Sequence, residues 1–175
     1  MIRVCFHGAE STGKSVLAAR LEQELGIPWV PEYGREWAET KGTDFTLAAL
    51  CEIARGQDAA MRAAAASRPS VLILDTDPLM TAAWAQMLHG TIPEELLDYA
   101  KADFYLLFDP DVPWIDDRTR LFGTPDERAR FAAVAEEVLN RAGVPYQHVA
   151  GNFSQREEKV RNFLHDKTLK QGPGG

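Results

Sequence analysis

Cysteine is scarce in this chain: Cys5 and Cys51 are the only two, and they form no C-x-x-C or Cys-His arrangement. That excludes a disulfide framework and a zinc knuckle, and both residues read as free buried thiols of a reducing compartment. No apolar run approaches the ~20 residues needed to cross a bilayer, and the chain opens on an apolar strand and not on a cleavable leader. A soluble, cytoplasmic protein without a membrane partner is expected. Positive charge is short as well, with 19 Lys and Arg against 26 Asp and Glu and a net charge of −7. A general nucleic-acid surface needs accumulated Lys and Arg, so nucleic acid is not an expected partner. Internal repeats are absent, and no Asn-Lys-x-Asp follows any apolar run, which argues against a guanine-specific GTPase. At 175 residues and 45% hydrophobic content, one domain over 1–168 is expected, with 169–175 a disordered tail that has no means of burial.

What the chain does have is Gly8-Ala9-Glu10-Ser11-Thr12-Gly13-Lys14-Ser15, which fits G-x-x-x-x-G-K-[ST] at all four defining positions. Ile2 to Phe6 supply an apolar strand before it and Ser15 to Leu21 a helix after it, the setting the motif requires. The glycines let successive N–H groups converge on one anion, aided by the positive end of the helix dipole. Gly8, Glu10, Ser11, Thr12, Gly13, Lys14 and Ser15 are therefore the expected contacts of a nucleotide polyphosphate. Lys14 reaches the β- and γ-phosphates, and the Ser15 hydroxyl is placed for Mg²⁺. Read as a solvent-facing loop residue, Lys14 is expected to matter for turnover and little for packing.

Further along, Trp29-Val30 reads as a short strand delivering Pro31-Glu32-Tyr33-Gly34-Arg35-Glu36-Trp37 to the crevice at its carboxyl end. Thr46 to Ala66 reads as a long helix, and Val71 to Leu74 as a strand covered on both faces. Asp75, directly after those four apolar residues, has the Walker B position beside the metal. Asp77 before Pro78 suits either a helix cap or a substrate contact. Phe104 to Phe108 is another strand. Residues 114–124, beginning at Trp114 and carrying Arg118 and Arg120, show neither period and read as a short lid that brings charge to the phosphates. Thr124-Pro125-Asp126-Glu127 is a capping box opening a helix, Tyr146 to Val149 a last strand with a structural His148, and Ser154 with Glu157 the cap of a final helix. Five strands alternating with helices predict an α/β, three-layer P-loop NTPase fold, a parallel sheet with helices on both faces. The brevity of the chain, the acid ending a strand and the arginine-bearing segment favour a small-molecule kinase among the proteins that share that plan.

In order, GAESTGKS, PEYGREWAE, ILDTDPLMTAAWAQ, DDRTR and HVAGNFSQRE resemble the nicotinamide riboside kinase domain of NadR-like proteins over roughly residues 1 to 165. The resemblance implies a Mg-ATP-dependent kinase that phosphorylates the ribose 5′-hydroxyl of nicotinamide riboside to give nicotinamide mononucleotide. It carries over neither the DNA-binding segment nor the adenylyltransferase domain of the larger members. It departs at Asp-Asp-Arg-Thr-Arg, where a glycine is expected before the threonine, so either lid arginine remains a candidate. A pyridinium substrate calls for aromatic faces and acids, and Tyr33, Trp37, Trp84 and Trp114 lie near crevice segments. Glu32 or Asp77 is the general base or a partner of the sugar hydroxyls, and Arg35, Arg118 and Arg120 are candidates to neutralise the transferring phosphoryl group. Similar kinases place a turn against the adenine where this chain has Gly151, Asn152 and Phe153. The residues alone leave open a kinase of another nucleoside, nucleotide or small metabolite, and a non-catalytic ATP sensor.

Overall fold

The computed structural model describes residues 1–115 and 121–169. The chain alternates strand and helix: β1 (Ile2–His7), α1 (Lys14–Leu25), β2 (Trp29–Val30), α2 (Tyr33–Lys41), α3 (Leu47–Ala65), β3 (Val71–Asp75), α4 (Pro78–His89), α5 (Glu95–Asp98), β4 (Phe104–Phe108), α6 (Pro125–Ala142), β5 (Tyr146–Val149) and α7 (Phe153–Leu169). The five strands form one parallel sheet in the order β2-β3-β1-β4-β5.

Side chains alternate across a strand, and β1 shows how this divides the core in two. Ile2, Val4 and Phe6 face α1 and α7 and pack with Leu17, Leu21, Val160 and Leu164. Cys5 faces the opposite layer of α3, α4, α5 and α6, with Leu50, Leu79, Leu96 and Phe131. The central strands are buried on both faces, which is why they read as continuous apolar runs. Both thiols are free and buried. No helix among the described residues is long and apolar enough to cross a membrane.

Helix ends follow the sequence where caps are local. Thr46 accepts the Ala49 N–H at 3.1 Å, and Thr124 and Glu127 form the reciprocal box at the start of α6. One segment that the sequence left without a conformation takes shape, and one expectation is corrected. The crevice segment after β2 is helical from Tyr33, its polar face having hidden the apolar contacts it makes with α3. The last helix begins at Phe153, one residue before Ser154, and is capped by a different reciprocal pair: Asn152 Oδ1 accepts the Gln155 N–H at 3.0 Å, and Gln155 Oε1 accepts the Asn152 N–H at 2.9 Å.

Because β1 lies between β3 and β4, the loop that leaves it sits at the point where the strand order reverses. The carboxyl ends of β1, β3 and β4 therefore open onto the same crevice.

Candidate active site

The glycine-rich loop wraps tightly from β1 into α1. Gly8 has φ +119, and a Cβ there would come within 2.5 Å of the Phe108 carbonyl oxygen, so glycine is demanded by both torsion and space. Lys14 is not solvent-facing: it is only 8% exposed. Its ammonium donates to the Gly8 carbonyl at 2.9 Å, the Ala9 carbonyl at 2.7 Å and Thr12 Oγ1 at 3.2 Å. The lysine thus braces the curl of the loop as well as charging it. In front of the loop lies a cavity of about 290 Å³ lined by Gly8 and by residues 10–16.

Three acids approach this loop in different ways. Asp75 ends β3 opposite Phe6 of β1 and is buried. Burial pushes its pKa up, while Lys14 and the Ser15 hydroxyl hold it down. Its Oδ1 is buried without a hydrogen-bond partner among the described residues. An orphaned carboxylate oxygen next to a serine hydroxyl is a donor set that suits Mg²⁺, which prefers oxygen ligands. Glu32, at the start of α2, is half-buried at the mouth; burial and the Asp75 charge lift it to about 7. Asp77 is different. It is 1% exposed, with Oδ1 accepting the Leu79 N–H at 3.0 Å and Oδ2 accepting the Tyr105 hydroxyl at 2.5 Å, and it borders none of the cavities around the loop. The carboxylate caps α4, so of the two acids the sequence left open only Glu32 faces the crevice.

A second cavity continues from the first. It is lined by Glu10, Glu32, Gly34, Arg35, Ala38, Phe45, Leu50, Ile53, Gln57, Thr76, Met80, Thr81 and Trp84. Glu10, Glu32, Arg35, Thr76, Met80 and Trp84 border both. Trp84 therefore stands at the junction, within an aromatic group of Phe45 at 5.7 Å, Phe131 at 4.7 Å and a stacked Phe122 at 5.3 Å between centroids. Tyr33 and Trp37 do not join it. The Tyr33 ring lies flat against α3, where a Cβ on Gly56 would fall 2.3 Å from it, and it borders an outer cavity with Glu36 and Asp75. Trp37 packs on the core under the Lys41 ammonium, 3.7 Å from the ring centroid. Trp114 lies against Gly123, at 3.1 Å from where a Cβ would sit.

Two loop side chains reach across the crevice. The Ser11 hydroxyl accepts the Ile115 N–H at 2.9 Å, and Glu10 Oε2 accepts the Leu121 N–H at 3.1 Å. Both ends of the predicted lid are thus tied to the loop, while Arg118 and Arg120 lie outside the described residues. On the far side Phe153 stands beside Gly13, 3.7 Å from a notional Cβ, and Asn152 is occupied in its cap.

Several residues of the site escaped the sequence reading. Gln57 is buried in α3, where it accepts the Tyr33 N–H at 2.7 Å and donates to the Pro31 and Thr76 carbonyls, tying α2 to the end of β3. Thr76 holds φ +74, a strained torsion for a β-branched residue, at a position bordering both cavities. Arg156 is 1% exposed and donates to the carbonyls of Gly151, Thr12 and Asp109 and to the Asp111 carboxylate. Gln57 and Arg156 both interrupt the apolar stripe of a helix, and that was the available signal.

A parallel sheet in this order, a phosphate loop between β1 and α1 and an acid ending β3 define a P-loop nucleotide-binding domain. The chain belongs to the AAA domain family, whose profile matches residues 3–156. It is 26% identical to the trifunctional NAD biosynthesis/regulator protein NadR of Salmonella typhimurium over 176 aligned positions, covering 94% of this chain and 43% of that one. The Escherichia coli protein of the same description matches with the same identity and coverage. The chain thus spans less than half the length of these curated relatives. Among solved structures, a NadR protein in complex with NR is similar at a TM-score of 0.76 and 21% identity, over 95% of this chain and 51% of that one. A deoxyadenosine kinase from M. mycoides follows at 0.65 and 12%, over 94% and 100%. These structures share the fold.

Proposed function

We propose that this chain is an ATP-dependent kinase of nicotinamide riboside, acting in the cytoplasm and transferring the γ-phosphoryl group to the ribose 5′-hydroxyl to give nicotinamide mononucleotide. The observation that carries the reading is the pair of adjoining cavities that share Glu32, Arg35 and Trp84. One is lined by the phosphate loop and suits a triphosphate; the other is lined by aromatic and acidic groups and suits a cationic riboside. They meet at Glu32. The likeness to NadR, one of whose structures is described as a complex with NR, supports the choice of substrate.

In this reading the loop amides and Lys14 grip the triphosphate, with Asn152 and Phe153 flanking the donor base. Ser15 and Asp75 hold Mg²⁺, which when bound offsets the charge on the phosphate oxygens. Glu32 accepts the proton of the 5′-hydroxyl as that oxygen attacks the γ-phosphorus, the bond from the γ-phosphorus to the β,γ-bridging oxygen breaks, and ADP leaves. Arg35, Arg118 and Arg120 neutralise the charge spread over the phosphoryl group in transit. Trp84 presents a π face to the pyridinium ring. Asp77 acts at one remove, by fixing the start of α4 that carries Trp84.

The test is a panel of ribosides with Mg-ATP. Nicotinamide riboside is expected to turn over well above adenosine, deoxyadenosine and cytidine. Turnover of another nucleoside alone would replace the substrate and keep the kinase; absence of phosphoryl transfer to any acceptor would overturn both.

A further inference from the structure

Glu32 borders both cavities from a position that its own element fixes poorly. β2 before it is two residues long, Pro31 brings no N–H, and α2 after it contains no fully buried side chain. Glu32 is the N-cap residue of α2, yet its side chain makes no cap hydrogen bond. The first N–H groups of a helix have no partner within it. An N-cap side chain ordinarily turns back onto them, which here would draw the carboxylate out of the crevice.

A side chain of another helix does this instead. Gln57 of α3 is 2% exposed, and its Oε1 accepts the Tyr33 N–H at 2.7 Å. Its Nε2 donates to the Pro31 carbonyl at 3.3 Å and to the Thr76 carbonyl at 3.4 Å. Pro31 and Tyr33 are the two neighbours of Glu32, so one amide grips the backbone on either side of it and leaves the carboxylate free. Thr76 follows Asp75 directly, and its N–H donates to the Phe6 carbonyl at 3.1 Å, which seats it on β1. The same amide therefore ties the Glu32 turn to the strand end that carries Asp75. A second contact seats that turn on α3: the Tyr33 ring covers the bare backbone of Gly56, where a Cβ would fall 2.3 Å from it.

We propose that Gln57 is a positioning residue for phosphoryl transfer, holding the turn that carries Glu32 at a fixed place relative to Asp75. The inference rests on the kinase reading and on Glu32 as its base. Displacing a reacting group by about 1 Å costs on the order of 100-fold in rate. Gln57 acts through Glu32 and touches no reacting atom.

The experiment compares wild type with Gln57→Met and Gly56→Ala by riboside kinetics below the melting transition, Mg-ATP titration calorimetry and thermal melting. Gln57→Met keeps the length of the side chain and removes all three hydrogen bonds, whereas Gly56→Ala displaces the Tyr33 ring and leaves the amide in place. We expect kcat to fall on the order of 100-fold in Gln57→Met and at least about tenfold in Gly56→Ala, with riboside KM and Mg-ATP affinity each held within about threefold. In a Glu32→Gln background either substitution should lower kcat by less than about threefold, since the group it positions is gone. Gln57→Met with wild-type kcat and only a lower melting midpoint would make Gln57 a structural tie and overturn the proposal. A raised riboside KM with kcat unchanged would make it a substrate contact and overturn it as well. Should Gln57→Met fail to fold, Gly56→Ala and its double variant with Glu32→Gln decide, and a full further loss in the double variant overturns the proposal. If wild type phosphorylates another nucleoside in place of nicotinamide riboside, only the substrate changes and the same comparison is read on that acceptor. Transfer to no acceptor would overturn the kinase reading and this inference with it.

Discussion

Arg156 donates from Nη1 to the carbonyl of Thr12 at 3.2 Å, so the last helix holds the phosphate loop from behind. The same guanidinium reaches the Gly151 and Asp109 carbonyls at 2.6 and 2.9 Å, which joins the loop to the ends of β4 and β5. Arg156→Met orphans these carbonyls and is expected to lower stability by about 3 kcal/mol. It should also raise KM for ATP more than KM for the riboside. Urea unfolding and two-substrate kinetics read both effects.

Gly8→Ala meets two obstacles at once, a φ of +119 and the Phe108 carbonyl oxygen 2.5 Å from the new Cβ. A loss of about 2 kcal/mol is expected, together with loss of nucleotide binding as the loop is pushed off β4. Unchanged calorimetric affinity for Mg-ATP would contradict this.

For Lys14→Ala the structure changes the expectation that the sequence supports. The ammonium satisfies the Gly8 and Ala9 carbonyls, so its removal is expected to abolish turnover and also to destabilise the protein by about 1–3 kcal/mol. A melting midpoint equal to that of wild type would restore the picture of a lysine that does not brace the loop.

Asp75→Asn works in the opposite direction on stability. Burial raises the pKa of Asp75, so its ionised form is disfavoured in the folded protein, and a neutral isostere should raise the nucleotide-free melting midpoint by a few degrees, about 2–5 °C. Turnover should fall on the order of 100-fold or more, and added Mg²⁺ should no longer strengthen ATP binding. A midpoint below wild type would count against this account.

His148 supplies a pH dependence away from the site. Its Nδ1 lies 2.8 Å from Asp109 and its Nε2 3.2 Å from Glu136, and the Asp109 hydrogen bond raises its pKa. A raised folded-state value means that the contribution is complete below the ordinary histidine range and fades as pH rises through the folded pKa. The ring is half exposed, so screening keeps the effect below about 1 kcal/mol. Melting midpoints at about pH 5.5 and pH 8.5 should differ less in His148→Gln than in wild type.

Much of this was legible in the chain, because strands, caps and the phosphate motif are local signals. Val71 to Asp75 could be read as a buried strand with an acid at its end since four apolar residues in a row have few other uses. What the chain did not show depends on distant partners. Asp77 could not be told from Glu32 as a base until Tyr105, 28 positions on, was seen to take one of its oxygens. Tyr33 reads as a crevice aromatic until the bare backbone of Gly56 is found beneath it. Phe45 and Phe122 carry no motif and gain meaning only by meeting Trp84.

The side chains of Glu10 and Ser11 occupy positions that the phosphate motif leaves unspecified, yet each anchors one end of the segment opposite. An octapeptide of the same GxxxxGKS pattern but with other residues at positions 10 and 11, grafted from an unrelated ATPase, would keep its hold on the triphosphate and cut two tethers. Such a chimera would separate gripping the nucleotide from shielding it, and should lose phosphate to water instead of passing it on.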